Sequence, residues 1–519
     1  MNPGIGPAGK IARFFIESKL TPLIVLGSLI LGVFAVMLTP REEEPQIVVP
    51  MVDIFVALPG ADPQEVENRL TLPLERRMWE IPGVEYVYAT SMPGVAMVSA
   101  RFLVGADLER SLVKLYDKLA GGMDRMPPGA SPPLIKRRSI DDVPVLALTL
   151  WSRHYDWFEL RRVAAQLRSE ISEVGNISDV RIIGGQKRQI GVLLDAERMA
   201  AFGVDAGQVA MSLRMQNTTR PAGAFEELDR EVLVETGAFL QHADEVRDLV
   251  VGVYQGKPIY LRDVAEVHDG PEEVADYVLF ARGPAAAEAD DGHADRSPAP
   301  AVTLSVAKRR GADAERVVRA VMSEVEGLKG RLIPPEVQVS VTRDYGETSS
   351  EKARELLTHL LGAIISVTIV IAIFLGWRGA LVVFVSVPVT FALTLFVYYV
   401  FGYTLNRVTL FALIFVTGIV VDDSIIVVEN IVRHFQMRRL PPLQAAITAV
   451  AEVGNPTILA TLTVIAAVLP MAFVRGLMGP YMRPMPVGAA LAMVFSLLIA
   501  LVAAPWFAYR LVKGEGHAK

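Results

Sequence analysis

The chain has 519 residues, of which 52% are hydrophobic and 21% are charged, with 57 acidic against 51 basic side chains. A net charge of −6 provides no basic surface to neutralise phosphates, which argues against a nucleic-acid partner. The sequence contains no cysteine, which excludes disulfides and cysteine-ligated zinc. So many hydrophobic residues beside so many charges indicate two compartments, an apolar membrane region and a water-facing region.

The first predicted element is an apolar stretch over residues 22–39. It contains no charge and follows a segment, residues 1–21, that carries Lys10, Arg13 and Lys19. Cleaved signal peptides and membrane anchors share this pattern. The Met-Leu-Thr-Pro at its end contains no small-x-small cleavage site. The sequence therefore favours a first membrane span preceded by a cytoplasmic segment.

The region between this span and the later apolar runs is predicted to be aqueous, because no run in it approaches the ~20 apolar residues that cross a bilayer. Residues 40–140 read as strand, helix, strand, strand, helix, strand, the order of a split βαβ (ferredoxin-like) subdomain. A second copy is predicted over residues 141–185 and 274–345. Residues 186–273 interrupt it as a small insertion, and residues 283–300 read as a surface loop.

Individual elements are predicted from the same periodicities. In the first copy the predicted strands cover 46–58, 83–91 and 96–104, and the helices cover 63–79 and 108–123. In the second copy the predicted strands cover 143–151, 180–183, 301–307 and 337–342, and the helices cover 157–173 and 313–327. In the insertion the predicted strands cover 189–194, 231–236 and 258–261.

Five apolar runs follow and bring the predicted number of membrane spans to six. Their predicted bounds are 354–376, 380–400, 408–430, 456–474 and 486–510, followed by a cytoplasmic tail over 511–519. The basic connections fall on one side of the membrane: the amino terminus, Arg378, the loop with Arg433, and Arg510. Because connections rich in Lys and Arg stay in the cytoplasm, the aqueous region is predicted to lie on the periplasmic face.

Two adjacent carboxylates, Asp422 and Asp423, interrupt the otherwise apolar fourth span. A charged group there costs about 2.5–3.5 kcal/mol on insertion scales and usually faces a bundle interior or a water path. Neighbouring carboxylates that are poorly solvated resist ionising together, which favours proton exchange near neutral pH. Asp422 lies about 20 Å into a span that starts at Val408, within a ~30 Å core. The pattern therefore predicts a proton relay rather than a solvated pair at the membrane edge.

Other side chains near the relay allow two interpretations. Glu429 lies on the same helical face as Asp422 and either extends the proton path or caps the cytoplasmic end of the span beside Arg433. Three methionines either form a soft metal path, since thioethers select Cu(I), or are apolar interfacial residues. They are Met478, Met482 and Met485. The histidines show no metal-ligand spacing, so neither a metal site nor a cofactor is predicted.

Several motifs together resemble one family of transporters. They are Leu58-Pro59-Gly60-Ala61, Glu80-Ile81-Pro82-Gly83-Val84, Leu261-Arg262-Asp263-Val264-Ala265, the run from Leu405 to Ala412 that leads into residues 418–430, and Leu469-Pro470-Met471-Ala472-Phe473. In this order the chain resembles the amino-terminal half of resistance-nodulation-division efflux transporters, particularly the hydrophobe/amphiphile branch of Gram-negative bacteria.

The resemblance implies a function and a set of partners. Residues 40–140, and 141–185 with 274–345, would be porter subdomains, and 186–273 a docking subdomain that contacts a periplasmic adaptor or an outer-membrane channel. Asp422 and Asp423 would be the proton-carrying pair. The assembled transporter would be a trimer in the inner membrane that exports compounds by proton antiport, not an enzyme.

The sequence also departs from that family. No Lys or Arg lies in the interior of the five later spans, so the counter-charge of the aspartates must come from a complementary carboxy-terminal half or a second six-span chain. Positions of the second porter subdomain where drug pumps often place aromatic residues along the substrate path are Val143 and Ile183 in this sequence, beside Arg181. This difference argues against drug-type polyspecificity. Two alternatives stay open. One is a heavy-metal exporter of the same superfamily, against which the paired aspartates argue, and the other is a non-transporting assembly or sensor subunit.

Overall fold

The computed structural model describes residues 6–227, 229–283 and 297–512. Most of the predicted tail over 511–519 and of the predicted loop over 283–300 therefore lies outside the described residues. Across the described part of the chain, five helices are long and apolar enough to cross a membrane. A mixed α/β region separates the first of them from the other four.

Two helices open the chain, α1 (Pro7–Phe15) and α2 (Leu20–Leu38), and α2 is the first of membrane length. Helix α2 approaches a later helix closely at Gly32. A Cβ added at Gly32 would lie only 2.4 Å from the Cβ of Ala392. Only glycine therefore allows this contact between the first helix and the later membrane helices.

The first α/β subdomain follows α2. Its elements are β1 (Met51–Ala57), α3 (Pro63–Val66), α4 (Leu72–Trp79), β2 (Val84–Met92), β3 (Val95–Phe102), α5 (Leu108–Ala120) and β4 (Leu134–Arg138). The strands pair antiparallel in the order β2-β3-β1-β4. A π turn over Glu67–Thr71 joins α3 to α4, and the Leu72 amide at its end donates to the Glu67 carbonyl five residues earlier.

The next elements begin a second subdomain and then leave it for the insertion. The second subdomain opens with β5 (Pro144–Trp151), α6 (Trp157–Glu173) and β6 (Ile177–Ile183). The insertion contains β7 (Arg188–Leu194), α7 (Ala196–Phe202), α8 (Ala206–Gln216), β8 (Arg220–Glu227), β9 (Arg230–Thr236), α9 (Ala243–Arg247), β10 (Val250–Tyr254), β11 (Lys257–Tyr260), α10 (Leu261–Val264) and β12 (Ala265–Pro271). Strands β7 and β12 pair antiparallel, so the insertion leaves and returns along one two-stranded ribbon.

The chain then completes the second subdomain. The remaining elements are β13 (Leu279–Phe280), β14 (Ala299–Lys308), α11 (Ala314–Leu328) and β15 (Gln338–Asp344). The order β6-β14-β5-β15, antiparallel throughout, repeats the order of the first subdomain. Leu146, Leu148 and Leu150 alternate along β5 and are fully buried in one core with the apolar faces of α6 and α11. The leucines recur at every second residue of β5, which is the period at which side chains of a strand point to the same face of a sheet.

Four long apolar helices follow the α/β region. They are α12 (Tyr345–Val400), α13 (Arg407–Met437), α14 (Pro442–Val468) and, after the short α15 (Met478–Met482), α16 (Pro484–Leu511). Helix α12 has 56 residues, about 84 Å at the α-helical rise and more than twice a ~30 Å bilayer core. The backbone of Gly376 breaks it with φ 79° and ψ 164°. The predicted spans over 354–376 and 380–400 lie on the two sides of this break.

The helices extend past the predicted apolar runs. Helix α14 begins at Pro442, well before the predicted span over 456–474, and a short 3-10 turn replaces its last predicted residues. The extension carries Glu452, whose carboxylate bonds to the end of α13. Asn430 Nδ2 donates to Glu452 Oε2 at 3.2 Å, and His434 Nε2 lies 2.8 Å from the same oxygen. The predicted span begins only at residue 456, because Glu452 and Asn455 interrupt the apolar pattern just before it.

Candidate proton-relay site

Helix α13, which carries the aspartate pair, has a fixed start. Asn406 Oδ1 accepts the backbone amides of Val408 and Thr409, each at 3.0 Å, and the Thr409 hydroxyl accepts the Asn406 amide at 3.0 Å. This reciprocal capping box satisfies amide donors that the start of a helix otherwise leaves unpaired. The first turn of α13 is therefore held in a defined position relative to the loop that follows α12.

Asp423 faces the interior of the helical region. The residue is only 8% exposed, and its Oδ1 accepts a hydrogen bond from the Thr461 hydroxyl on α14 at 3.0 Å. One turn earlier on α13, the carbonyl of Val420 accepts the hydroxyl of Ser496 on α16 at 2.5 Å. Asp423 thus lies where α13, α14 and α16 meet, in a small polar region made of hydroxyl groups.

Asp422 points away from this interior although it directly precedes Asp423. Consecutive residues of an α-helix are separated by about 100° around the axis, and this rotation leaves Asp422 exposed. Over residues 6–227, 229–283 and 297–512, neither aspartate forms an ion pair with a Lys or Arg. The two carboxylates are therefore adjacent in sequence and divided between two environments.

The exposed face of α13 continues in both directions from Asp422. Exposed residues recur at spacings of three or four along the helix: Phe411, Phe415, Gly418, Asp422, Ile426, Glu429 and Arg433. Such spacing defines one helix face, here named the uncovered stripe. A Cβ added at Gly418 would meet nothing within 4 Å. The uncovered stripe thus presents the carboxylate of Asp422 between apolar residues, on a face that the described chain leaves open.

Glu429 lies on the uncovered stripe, on the same face as Asp422. Arg433, which the sequence suggested as its neighbour at the end of the span, instead places Nη2 3.2 Å from Glu452 on α14. Sequence reasoning missed Glu452 because this residue precedes the apolar run of the fifth span. A role of Glu429 in extending the proton path stays a prediction.

The three residues predicted along a substrate path lie near one another but do not line one cavity. Val143 lines a cavity of about 310 Å³ between the second subdomain and the start of α12. Arg181 on β6 places Nε 2.6 Å from Asp179 and Nη2 3.7 Å from Asp142. Ile183, at the end of β6, is 50% exposed and lies outside the residues that line this cavity. Their role in a substrate path stays a prediction.

Sequence reasoning missed a buried ion pair at the same cavity. Lys308 Nζ, at the end of β14, lies 2.6 Å from Glu42 Oε1, and the side chains are 7% and 5% exposed. Within the described residues, Glu42 Oε2 is buried without a hydrogen-bond partner of normal geometry. Burial raises the pKa of Glu42, while the Lys308 ammonium and the nearby Thr404 hydroxyl oppose the shift. No sequence signal separates Glu42 from its two glutamate neighbours.

Together these features define a class of protein. Membrane-length helices, a carboxylate pair within one of them, and a large α/β region between the first and second are the construction of a polytopic membrane transporter. The chain belongs to the AcrB/AcrD/AcrF family, which it matches over residues 11–519. The resemblance to resistance-nodulation-division efflux transporters is therefore confirmed.

Three curated relatives that share a name align with nearly the whole chain. The multidrug resistance protein MdtC of Yersinia enterocolitica is 27% identical over 514 residues, that of Pectobacterium atrosepticum 29% over 510, and that of Pantoea ananatis 28% over 505. These alignments cover 98%, 97% and 97% of this chain and 48% of each relative. The chain therefore spans about half the length of the curated relatives it matches.

Proposed function

We propose that this chain is the amino-terminal half of a proton-driven exporter, an inner-membrane permease that exchanges protons for compounds moved out of the cell. The observation that carries the proposal is the division of the aspartate pair of α13. Asp423 is bonded to Thr461 in the interior, and Asp422 lies on the uncovered stripe. Gaining or losing a proton there changes the charge of a poorly solvated helix by one unit, which changes the neighbours that the helix prefers.

The proposed topology has six spans and a periplasmic domain. The break at Gly376 divides α12 in two, and the two parts with α2, α13, α14 and α16 supply six spans. Arg378, Arg433 and Arg510 then lie on the cytoplasmic side, as the positive-inside rule favours. The α/β region falls on the periplasmic side.

The repeated strand order supports a division of the periplasmic region into three parts. Residues 40–140 form one porter subdomain of split βαβ type, and residues 141–185 with 274–345 form a second. Residues 186–273 form the docking insertion, which contacts a periplasmic adaptor or an outer-membrane channel. By its family, the assembled transporter is a trimer within a tripartite efflux system.

A complementary carboxy-terminal half, or a second six-span chain, covers the uncovered stripe in this proposal. Asp422 has no ion-pair partner within the described ranges, and an unpaired carboxylate in a bilayer is unfavourable. A Lys or Arg of the complementary half supplies the counter-charge. The relatives are named multidrug resistance proteins, which supports organic compounds over metal cations as the exported class.

The test compares transport by this chain alone with transport by this chain together with its complementary half. Ethidium efflux is measured from proteoliposomes that contain this chain together with its complementary half, with and without an imposed proton gradient, and from proteoliposomes that contain this chain alone. We expect gradient-dependent efflux only when both halves are present. Equal gradient-dependent efflux from the chain alone would show that two copies build a complete relay, and the half-transporter proposal would be wrong.

A further inference from the structure

A segment of four residues, Pro40 to Glu43, follows α2 and lies between the membrane helices and the second subdomain. It is named the junction segment. On the membrane side, the Leu405 amide donates to the Pro40 carbonyl at 2.9 Å, and the Glu42 amide donates to the Leu405 carbonyl at 3.0 Å. The neighbouring Arg407 amide donates to the Glu43 carbonyl at 3.2 Å. These partners flank Asn406, the cap of α13. The junction segment is therefore bonded through its backbone to the start of the relay helix.

The same segment is held on its other side by the second subdomain. The Arg41 amide donates to Asp313 Oδ2 at 2.9 Å, and Asp313 also caps α11. The Arg41 guanidinium lies 3.2 Å from Glu315 Oε2. The Glu42 carboxylate forms an ion pair with the Lys308 ammonium at the end of β14. One short segment thus contacts both the relay helix and two elements of the second subdomain.

The pair of Glu42 and Lys308 differs from the other contacts of the junction segment because it is buried. Taking two opposite charges out of water costs nearly as much free energy as their attraction returns, so a buried ion pair is a poor source of stability. The other Glu42 oxygen has the Thr404 hydroxyl near it but no hydrogen bond of normal geometry among the described residues, which adds to the cost. The cavity of about 310 Å³ beside the pair leaves the carboxylate room to move. Stability alone therefore does not account for this pair.

We infer that Glu42 and Lys308 are positioning residues that couple the relay helix α13 to the second subdomain during transport. A displacement of the start of α13 passes through the backbone bonds of Leu405 to the junction segment. The carboxylate of Glu42 then transmits it to Lys308 and so to β14, which lies beside the central strand β5 of that sheet. The inference rests on the proposed function, because it assumes that α13 carries the proton relay.

The test replaces both charges, so that no unpaired charge stays buried. In the assembled transporter, Glu42→Gln combined with Lys308→Met should insert normally. Ethidium efflux should fall about tenfold, and the proton uptake that ethidium stimulates should disappear while basal proton leak persists. The exchanged pair, Glu42→Lys with Lys308→Glu, should restore efflux to within about threefold. Efflux and proton movement are recorded in the same proteoliposomes with a pH-sensitive dye.

Three outcomes would overturn the inference: parental efflux by the neutral pair, a loss of efflux at an unchanged ratio of protons to ethidium, and failure of both double variants to insert. The last two would assign the pair a structural role alone. Glu65→Gln with Arg69→Met, at a surface ion pair of the first subdomain, is the matched control and should change nothing. A parental transporter without gradient-driven efflux would instead contradict the proposed function.

Discussion

The two faces of α13 differ in whether the described chain covers them. The face that contains Asp423 is closed by this chain, since Val416, Val420 and Val427 are buried beside it and Thr461 donates to the carboxylate. The uncovered stripe that contains Asp422 has no such cover in the described residues. The same helix therefore holds Asp423 in a buried environment and Asp422 in an exposed one. Substitutions on the closed face should act through this chain, and substitutions on the stripe through its partner.

The largest effect is expected from substituting either of the two proposed proton sites. In the assembled transporter, Asp422→Asn and Asp423→Asn should each lower gradient-driven ethidium efflux by about 100-fold or more, because an amide keeps the volume but carries no transferable proton. Insertion and assembly should be unchanged. Asp117→Asn, at an exposed position on α5, serves as the control. Parental efflux by one of the two relay variants would remove that aspartate from the relay.

A substitution at Gly418 tests whether the uncovered stripe contacts the complementary half. Gly418→Leu adds a side chain to the uncovered stripe, where the described chain has room for it. It should leave the thermal unfolding of this chain unchanged and weaken copurification of the complementary half about tenfold.

The neighbouring Thr417 lies on the buried face of α13 and provides the control for that face. It is 2% exposed and donates to the Leu413 carbonyl at 2.8 Å. Thr417→Leu should destabilise this chain by about 1–3 kcal/mol through overpacking. If Gly418→Leu lowered the unfolding temperature of the isolated chain equally, the stripe would be covered within the chain itself, and the comparison of the two faces would fail.

A smaller effect is expected at the hydroxyl that bonds to Asp423. Thr461→Val keeps the shape of the side chain and removes the donor to Oδ1, so efflux should fall about fivefold. Thr463→Val is the matched control, because Thr463 lies on the exposed side of α14 and bonds only to the Leu459 carbonyl in the described structure. Equal efflux by the two variants would show that the hydroxyl does not support the relay.

The smallest effect is expected at Glu429. Glu429→Gln should change efflux by less than about twofold, because Glu429 lies at the end of the predicted span over 408–430, about two helical turns beyond Asp422, where water can solvate its charge. Initial rates of ethidium efflux under the gradient used for the aspartate variants provide the measurement. A loss approaching that of Asp422→Asn would place Glu429 in the proton path.

Periodic elements of the fold could be predicted from sequence. The predicted helix over 157–173 coincides with α6, and the predicted strand over 143–151 agrees with β5 to within one residue. Strand β4 reads Leu-Ile-Lys-Arg-Arg and is mostly exposed, so its charges hide the period and its bounds could not be assigned. The predicted strand over 46–58 is shortened to β1, because Pro50 cannot donate an amide to the sheet.

The candidate site was predictable only in part. Two carboxylates within an apolar span are conspicuous in any sequence, and their position in α13 agrees with the predicted span. Which of them is buried depends on the rotation of α13 about its axis, which packing against α14 and α16 determines. The pair of Glu42 and Lys308 joins residues 266 positions apart. Such a contact is a property of tertiary structure and leaves no local pattern.

The ribbon of β7 and β12 has a consequence for how such transporters diversify. The insertion is joined to its host through this ribbon, and Gln186 Nε2 closes the base with a bond to the Glu272 carbonyl at 2.7 Å. The host strands β6 and β14 pair directly with each other, so the order β6-β14-β5-β15 of the host sheet does not depend on the insertion. Exchange of the chain between the two ends of the ribbon would therefore replace the insertion as a unit and leave the host sheet and α13 unchanged.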